Sequence, residues 1–195
     1  MKKSAKLLIV SGAICICGAI GLFAKMQIEN AATSSENSAV TDDFNAYLTT
    51  LDGTEIKEVD TTQNNESVYI DGDLYLGIII IESVGIELPV NYEWTDAKLS
   101  SSPCYYDGLL YEDTLIIGGH NSSIHFGPLH QVELGDIVEF IDPSGTVHTY
   151  TVTESYVIAE TEVEELKDIG DSDLTLFTCY SDNSYRRVIR CERIS

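Results

Sequence analysis

LYLGIIIIESVGIELPVN, residues 74–91, is an apolar run (74–81), a turn at Ser83, Val84 and Gly85, and a second β-rich run (86–91). Runs of Ile, Leu, Val and Tyr this short, bounded by turn residues, predict strands rather than helices. The same grammar continues outward. Residues 114–117 form a short buried run that ends in Gly118 and Gly119. Residues 136–141 and 146–153 flank the turn sequence DPSG, which predicts a hairpin, and 154–159 prolong its second arm. Residues 174–179 and 185–194 supply the last two strands. Only 95–99 and 162–167 look helical within this region. Many short strands and few helices predict an all-β fold over 68–195, a closed or nearly closed barrel.

Upstream of the strands the composition changes twice. Residues 7–24, LLIVSGAICICGAIGLFA, carry no charge. As a helix this stretch rises about 27 Å, close to the hydrocarbon thickness of a bilayer. Lys2, Lys3 and Lys6 precede it and only Lys25 follows directly. The expectation is a transmembrane anchor with residues 1–6 in the cytoplasm and the rest of the chain outside; a cleaved signal peptide is the alternative. Residues 25–67 are rich in Ser, Thr, Asn, Asp and Glu and are expected to form an extracellular linker. Within it TDDFNAYLTTL, 41–51, is a candidate short helix with Thr41 as its N-cap.

Charge narrows the partners. The chain has 195 residues with 11 Lys+Arg against 32 Asp+Glu, a net charge of −21 and a pI of about 4.2. Nucleic-acid binding needs a basic footprint, so nucleic acid is excluded as the main partner. Against that background all four arginines, Arg186, Arg187, Arg190 and Arg193, fall close together near the C-terminus. An exposed strand with salt-bridge partners is the plain reading of the cluster. A chemical reading comes from the cysteines.

Two of the five cysteines, Cys15 and Cys17, lie in the apolar run, which leaves Cys104, Cys179 and Cys191. An odd number predicts at least one free thiol. Cys104 and Cys191 are candidates for a disulfide. Cys179 ends the strand TLFTC beside the polar loop YSDNS, where a side chain meets solvent or substrate. A nearby arginine favours its thiolate and can donate to an oxyanion. Of the four histidines, His120 has the best context: it follows TLIIGG at a strand end. The spacing of His120, His125 and His130 matches no tight metal-ligand pattern, so no metal site is expected there.

LIIGGH (115–120), TLFTC (175–179) and RRVIRC (186–191) together resemble the sortases, the cysteine transpeptidases of Gram-positive cell surfaces. The resemblance covers about residues 70–195 and implies an eight-stranded β-barrel. It implies Cys179 as nucleophile, His120 as acid/base and Arg186 as the oxyanion-binding arginine. Arg187 would face the other way, because side chains alternate along a strand. The segment 160–173 resembles the one that binds the sorting signal, with Val163, Leu166 and Thr178 as candidate substrate contacts. Glu160, Glu162, Glu164 and Glu165 could bind calcium as in some class A members, or simply form a solvated face; no cofactor is otherwise expected. A short 160–173 segment and the lack of an aromatic lid motif point to class A or class D. The implied activity is cleavage of an LPxTG-like C-terminal sorting signal through a thioester. Transfer would follow to an amine of a cell-wall precursor or another protein. A cysteine hydrolase using water, and an anchored, non-enzymatic acidic binding module, are the alternative readings.

Overall fold

The computed structural model describes residues 2–51, 59–60, 65–168, 170–180 and 184–195, with the side chains of 2–11, 13, 14, 51, 59, 60 and 163 excepted. The chain divides into two compact units, 1–36 and 37–195.

Among the described residues ten strands form one sheet: β1 (Val59–Asp60), β2 (Ser67–Ile70), β3 (Asp73–Ile81), β4 (Ile86–Asn91), β5 (Cys104–Asp107), β6 (Leu115–Gly119), β7 (Ile137–Ile141), β8 (Val147–Ala159), β9 (Leu174–Tyr180) and β10 (Tyr185–Arg193). The order β3-β4-β5-β6-β9-β10-β8-β7 returns to β3 through Ile78↔Ile141, Ile79↔Phe140 and Ile80↔Glu139. That is the expected barrel of eight strands, closed; β1 and β2 extend it from the edge of β3. Two neighbouring pairs are parallel, β4 with β5 and β6 with β9. Closure leaves the inner face dry: Leu76, Ile79, Ile81, Leu115, Ile117, Phe126, Phe140, Tyr150, Leu176 and Ile189 fill it.

The unbroken IIII of β3 has a second cause. Ile79 and Ile81 face the barrel interior, whereas Ile78 and Ile80 belong to an outer cluster with Val40, Phe44 and Tyr47. Those last residues come from helix α1 (Lys2–Leu51). β3 is therefore covered on both faces, which is why its pattern is continuous rather than alternating. This corrects the expected linker: residues 25–51 are helical, and Val40, Phe44 and Tyr47 are buried. Thr41 lies inside the helix and is buried, so it is no cap. The expected membrane span, 7–24, is also helical, but most side chains of its first half lie outside the described residues. Among the described residues no helix is long and apolar enough to cross a membrane.

The DPSG hairpin forms around a buried carboxylate. Asp142 Oδ1 accepts from the backbone N–H of Ser144 at 2.8 Å and of Thr146 at 3.0 Å. Its Oδ2 accepts from Tyr111 at 2.8 Å and lies 2.8 Å from His148 Nε2. Among the described residues of the domain two short α-helices follow β4 and β8. Thr95 caps α2 (Asp96–Ser101) by accepting from Lys98 N at 3.2 Å, and α3 (Val163–Lys167) lies in the β8–β9 connection.

Candidate active site

Strand pairing places the three candidate groups. β6 and β9 are parallel and in register to Gly119↔Thr178, so His120, the first residue past β6, follows Gly119 as Cys179, still within β9, follows Thr178. Thr178 fastens this junction: its Oγ1 donates to Gly119 O at 2.8 Å. On the other flank of β9, β10 runs antiparallel with Arg186 directly opposite Cys179 and Arg187 opposite Thr178. Facing residues of an antiparallel pair have Cα atoms roughly 4.5–5.5 Å apart and share a face. That face is the outside of the barrel. Phe177 and Val188, two residues from Cys179 and Arg186, sit in an outer cluster, whereas Leu176 and Ile189 point into the core. His120 is exposed, Cys179 is partly exposed, and the Arg186 side chain retains 18% of its accessibility.

Of the two adjacent arginines, the register puts Arg186 opposite Cys179. Its Nη2 is 3.2 Å from Glu160 Oε1, and its Nη1 donates to Tyr185 O at 3.0 Å. Arg187 has the parity of the fully buried Thr178, and its Nε is buried without a hydrogen-bond partner among the described residues. Arg186→Ala is expected to lower kcat for peptide cleavage on the order of 10²–10³-fold, the usual loss of an oxyanion donor. Arg187→Ala should change kcat less than about tenfold. Steady-state assays of the two variants side by side measure the contrast.

Exposure also singles out the thiol. Cys104 and Cys191 are free and buried, not joined as a disulfide. Burial pushes the Cys104 thiol up to about 12 and raises that of Cys191 as well. Neither forms thiolate at neutral pH, so Cys179 is the reactive candidate of the barrel.

The paired glycines before His120 are demanded by what flanks them. A Cβ on Gly118 would lie 2.5 Å from Phe177 Cζ and 2.7 Å from Trp94 Cη2 on the outer face. One on Gly119 would lie 2.7 Å from Phe126 and 2.9 Å from His125 Nδ1 on the inner face. His125 is the support beneath the site. It is 2% exposed, and its Nδ1 accepts from the backbone N–H of His120 at 3.1 Å. That bond requires an unprotonated Nδ1. Burial first, then the neighbouring His120, pushes the His125 pKa down to about 4. The depressed value means that the unfolded chain takes up a proton before the folded one does. Stability from His125 is complete above about 6.5 and is lost as pH falls toward 4, on the order of 3 kcal/mol in all. Denaturant titrations at pH 7 and pH 4.5 should show this loss, and His125→Asn should flatten it.

An aromatic surface adjoins the thiol. Trp94 stacks on Phe177 with ring centroids 5.9 Å apart, and Tyr106 meets Phe177 edge-on at 5.1 Å. Ile116, Ile158, Leu166 and Val188 continue it. Trp94 is 42% exposed and forms the solvent-facing edge of this otherwise buried cluster. Sequence reading missed Trp94, Tyr106 and Phe177 as site residues, although the strand period of two from Cys179 already puts Phe177 on its face.

The expected substrate contacts divide three ways. Leu166 is 4% exposed and packed on the barrel, so it builds the wall of this surface. Thr178 is fully buried on the inner face and is a positioning residue, not a contact surface. The side chain of Val163 lies outside the described residues. The four glutamates proposed for calcium do not converge. Glu160 pairs with Arg186, and Glu162 Oε2 accepts from Ala159 N at 2.6 Å. Among the described residues no three His, Cys, Asp or Glu gather as metal ligands.

Comparison with known proteins gives concordant results. A family model described as the sortase domain matches residues 79–194. Sortase A of Listeria monocytogenes is 32% identical over 114 residues, covering 56% of this chain and 51% of the relative. Sortase A of Bacillus anthracis is 29% identical over 127 residues, covering 62% and 60%. The chain therefore spans about half to three fifths of the length of these curated relatives. Among solved structures, Clostridium perfringens sortase C with the C-terminal cell wall sorting motif aligns with a TM-score of 0.57 and 25% identity, over 83% of this chain and 90% of that one. Listeria monocytogenes sortase A aligns with a TM-score of 0.51 and 26% identity, over 62% and 88%.

Proposed function

The chain belongs to the sortase family, and we propose that it is a membrane-anchored cysteine transpeptidase that cleaves an LPxTG-like C-terminal sorting signal and transfers the protein to an amine. One observation supports this reading: Arg186 on β10 stands opposite Cys179 on β9, and His120 follows the end of β6, the strand on the other flank of β9. The sorting peptide lies along the aromatic surface beside Cys179. Cys179 thiolate attacks the carbonyl carbon of its Thr. The tetrahedral oxyanion accepts hydrogen bonds from Arg186. His120 as imidazolium protonates the departing Gly amine, leaving a thioester on Cys179. An amine of a cell-wall precursor or another protein then attacks the thioester, and His120 takes its proton. The solved structure of the C. perfringens sortase C with its sorting motif supports a peptide of this class. Residues 7–24 anchor the chain with residues 1–6 in the cytoplasm and the barrel at the outer surface.

The test is incubation of the purified full-length chain with a library of sorting peptides and an added amine. Transpeptidation yields the peptide–amine adduct. Free acid alone would identify a hydrolase, and unchanged peptide with retained binding in Cys179→Ala would identify a binding module.

A further inference from the structure

Arg190 shares the parity of Arg186 and faces outward from β10, yet it is 2% exposed. Each of its five N–H groups has an acceptor. Nε donates to Tyr156 Oη at 3.0 Å. Nη1 donates to Thr175 Oγ1 at 2.5 Å and Leu166 O at 3.2 Å. Nη2 donates to Glu165 O at 2.6 Å and Asp168 O at 3.0 Å. The acceptors are neutral, and among the described residues no carboxylate forms an ion pair with it.

Three of these bonds go to carbonyls at the C-terminal end of α3. A helix leaves its last carbonyls without intrahelical partners, and a helix of five residues has little stability of its own. The other tie from α3, Lys167 Nζ to Asp107 Oδ2 at 2.6 Å, is about half exposed at both ends and contributes little. α3 carries Leu166, which is buried on Ile116, Ile158, Phe177 and Val188. The guanidinium thus links the barrel wall behind the site to the one helical turn that flanks the aromatic surface beside Cys179.

We infer that Arg190 is a positioning residue: its guanidinium, anchored to the barrel by two hydroxyls and bonded to three carbonyls at the end of α3, keeps α3 as a preformed wall of the peptide-binding surface. The peptide then binds without first ordering that segment, which lowers the cost of association. The peptide part of this inference rests on the function proposed above; the ordering of α3 does not.

The experiment compares wild type, Arg190→Met, Arg190→Lys and Leu166→Ala in the full-length chain. Two readouts are taken: steady-state peptide cleavage, and amide hydrogen exchange resolved over 162–168, β9 and β10. For Arg190→Met, KM should rise about tenfold while kcat stays within about threefold, because the reacting groups are untouched. Exchange over 162–168 should accelerate about tenfold or more, with β9 and β10 unchanged. Leu166→Ala should reproduce the KM effect, and Arg190→Lys should recover part of it. Unchanged KM and unchanged 162–168 exchange in Arg190→Met would overturn the inference. So would a kcat loss as large as that in kcat/KM with exchange spreading through β9 and β10. If Arg190→Met does not fold, Arg190→Lys and Thr175→Val decide by the same exchange measurement, and protection of 162–168 equal to wild type in both refutes the clamp. If the wild type cleaves no peptide, the transpeptidase reading fails while exchange still tests the clamp.

Discussion

Cys179→Ala is expected to reduce peptide cleavage to background, a loss on the order of 10⁴-fold or more. No other group can replace the sulfur. Cys104 and Cys191 are buried with raised thiol pKa values, and the aliphatic hydroxyl next in sequence, Thr178, is buried and donates to Gly119 O. The substitution removes a partly exposed side chain at a strand end, so the barrel should keep its stability. Cys179→Ser should be almost as inactive, because an aliphatic hydroxyl, unlike a thiol, has almost no ionised nucleophile near neutral pH. Peptide cleavage followed by chromatography, with thermal melting as the fold control, measures both.

The second large effect belongs to His120. His120→Ala should lower kcat by about 10³-fold, within the range of lost general acid–base catalysis. His125 lies next to it, with ring centroids 6.1 Å apart, but cannot take over. It is buried, neutral across the working range, and its Nδ1 is already occupied by the His120 backbone. Added imidazole should restore part of the rate in His120→Ala and none in Cys179→Ala. Equal loss in both steps of the reaction, amine departure and amine attack, should follow, since one imidazole serves both. Pre-steady-state assays with and without added amine separate the two steps.

The barrel strands were legible where side-chain pattern and turn chemistry agreed: 74–81, 86–91, DPSG and the two C-terminal runs all correspond to elements found. β5 (Cys104–Asp107) was not, because CYYD is four residues long, follows Pro103, and has only Cys104 fully buried. The helix through 25–51 was hidden by composition. Its Ser, Thr, Asn and Glu read as linker, although Val40, Phe44 and Tyr47 recur at the spacing of a helical stripe and are buried. Cys179 and His120 could be singled out because both end apolar runs. The choice of Arg186 over Arg187 rests on parity along β10, and the pairing sets Arg186 opposite Cys179. Trp94 and Tyr106 could not be placed, since they reach Phe177 only through the closure of β4, β5 and β6 around the barrel. The clamp of Arg190 on α3 was equally invisible, because its acceptors are mostly backbone carbonyls, which carry no sequence signal.

The central claim is that a thioester forms on Cys179 and is discharged by an amine. Intact-mass and peptide mapping of the full-length chain, quenched in acid during turnover of a sorting peptide, test it most directly. The account predicts one added mass equal to the acyl portion of the peptide, located on Cys179, lost on adding amine and absent from Cys179→Ala. Turnover with no covalent adduct, or an adduct on any other residue, would contradict it.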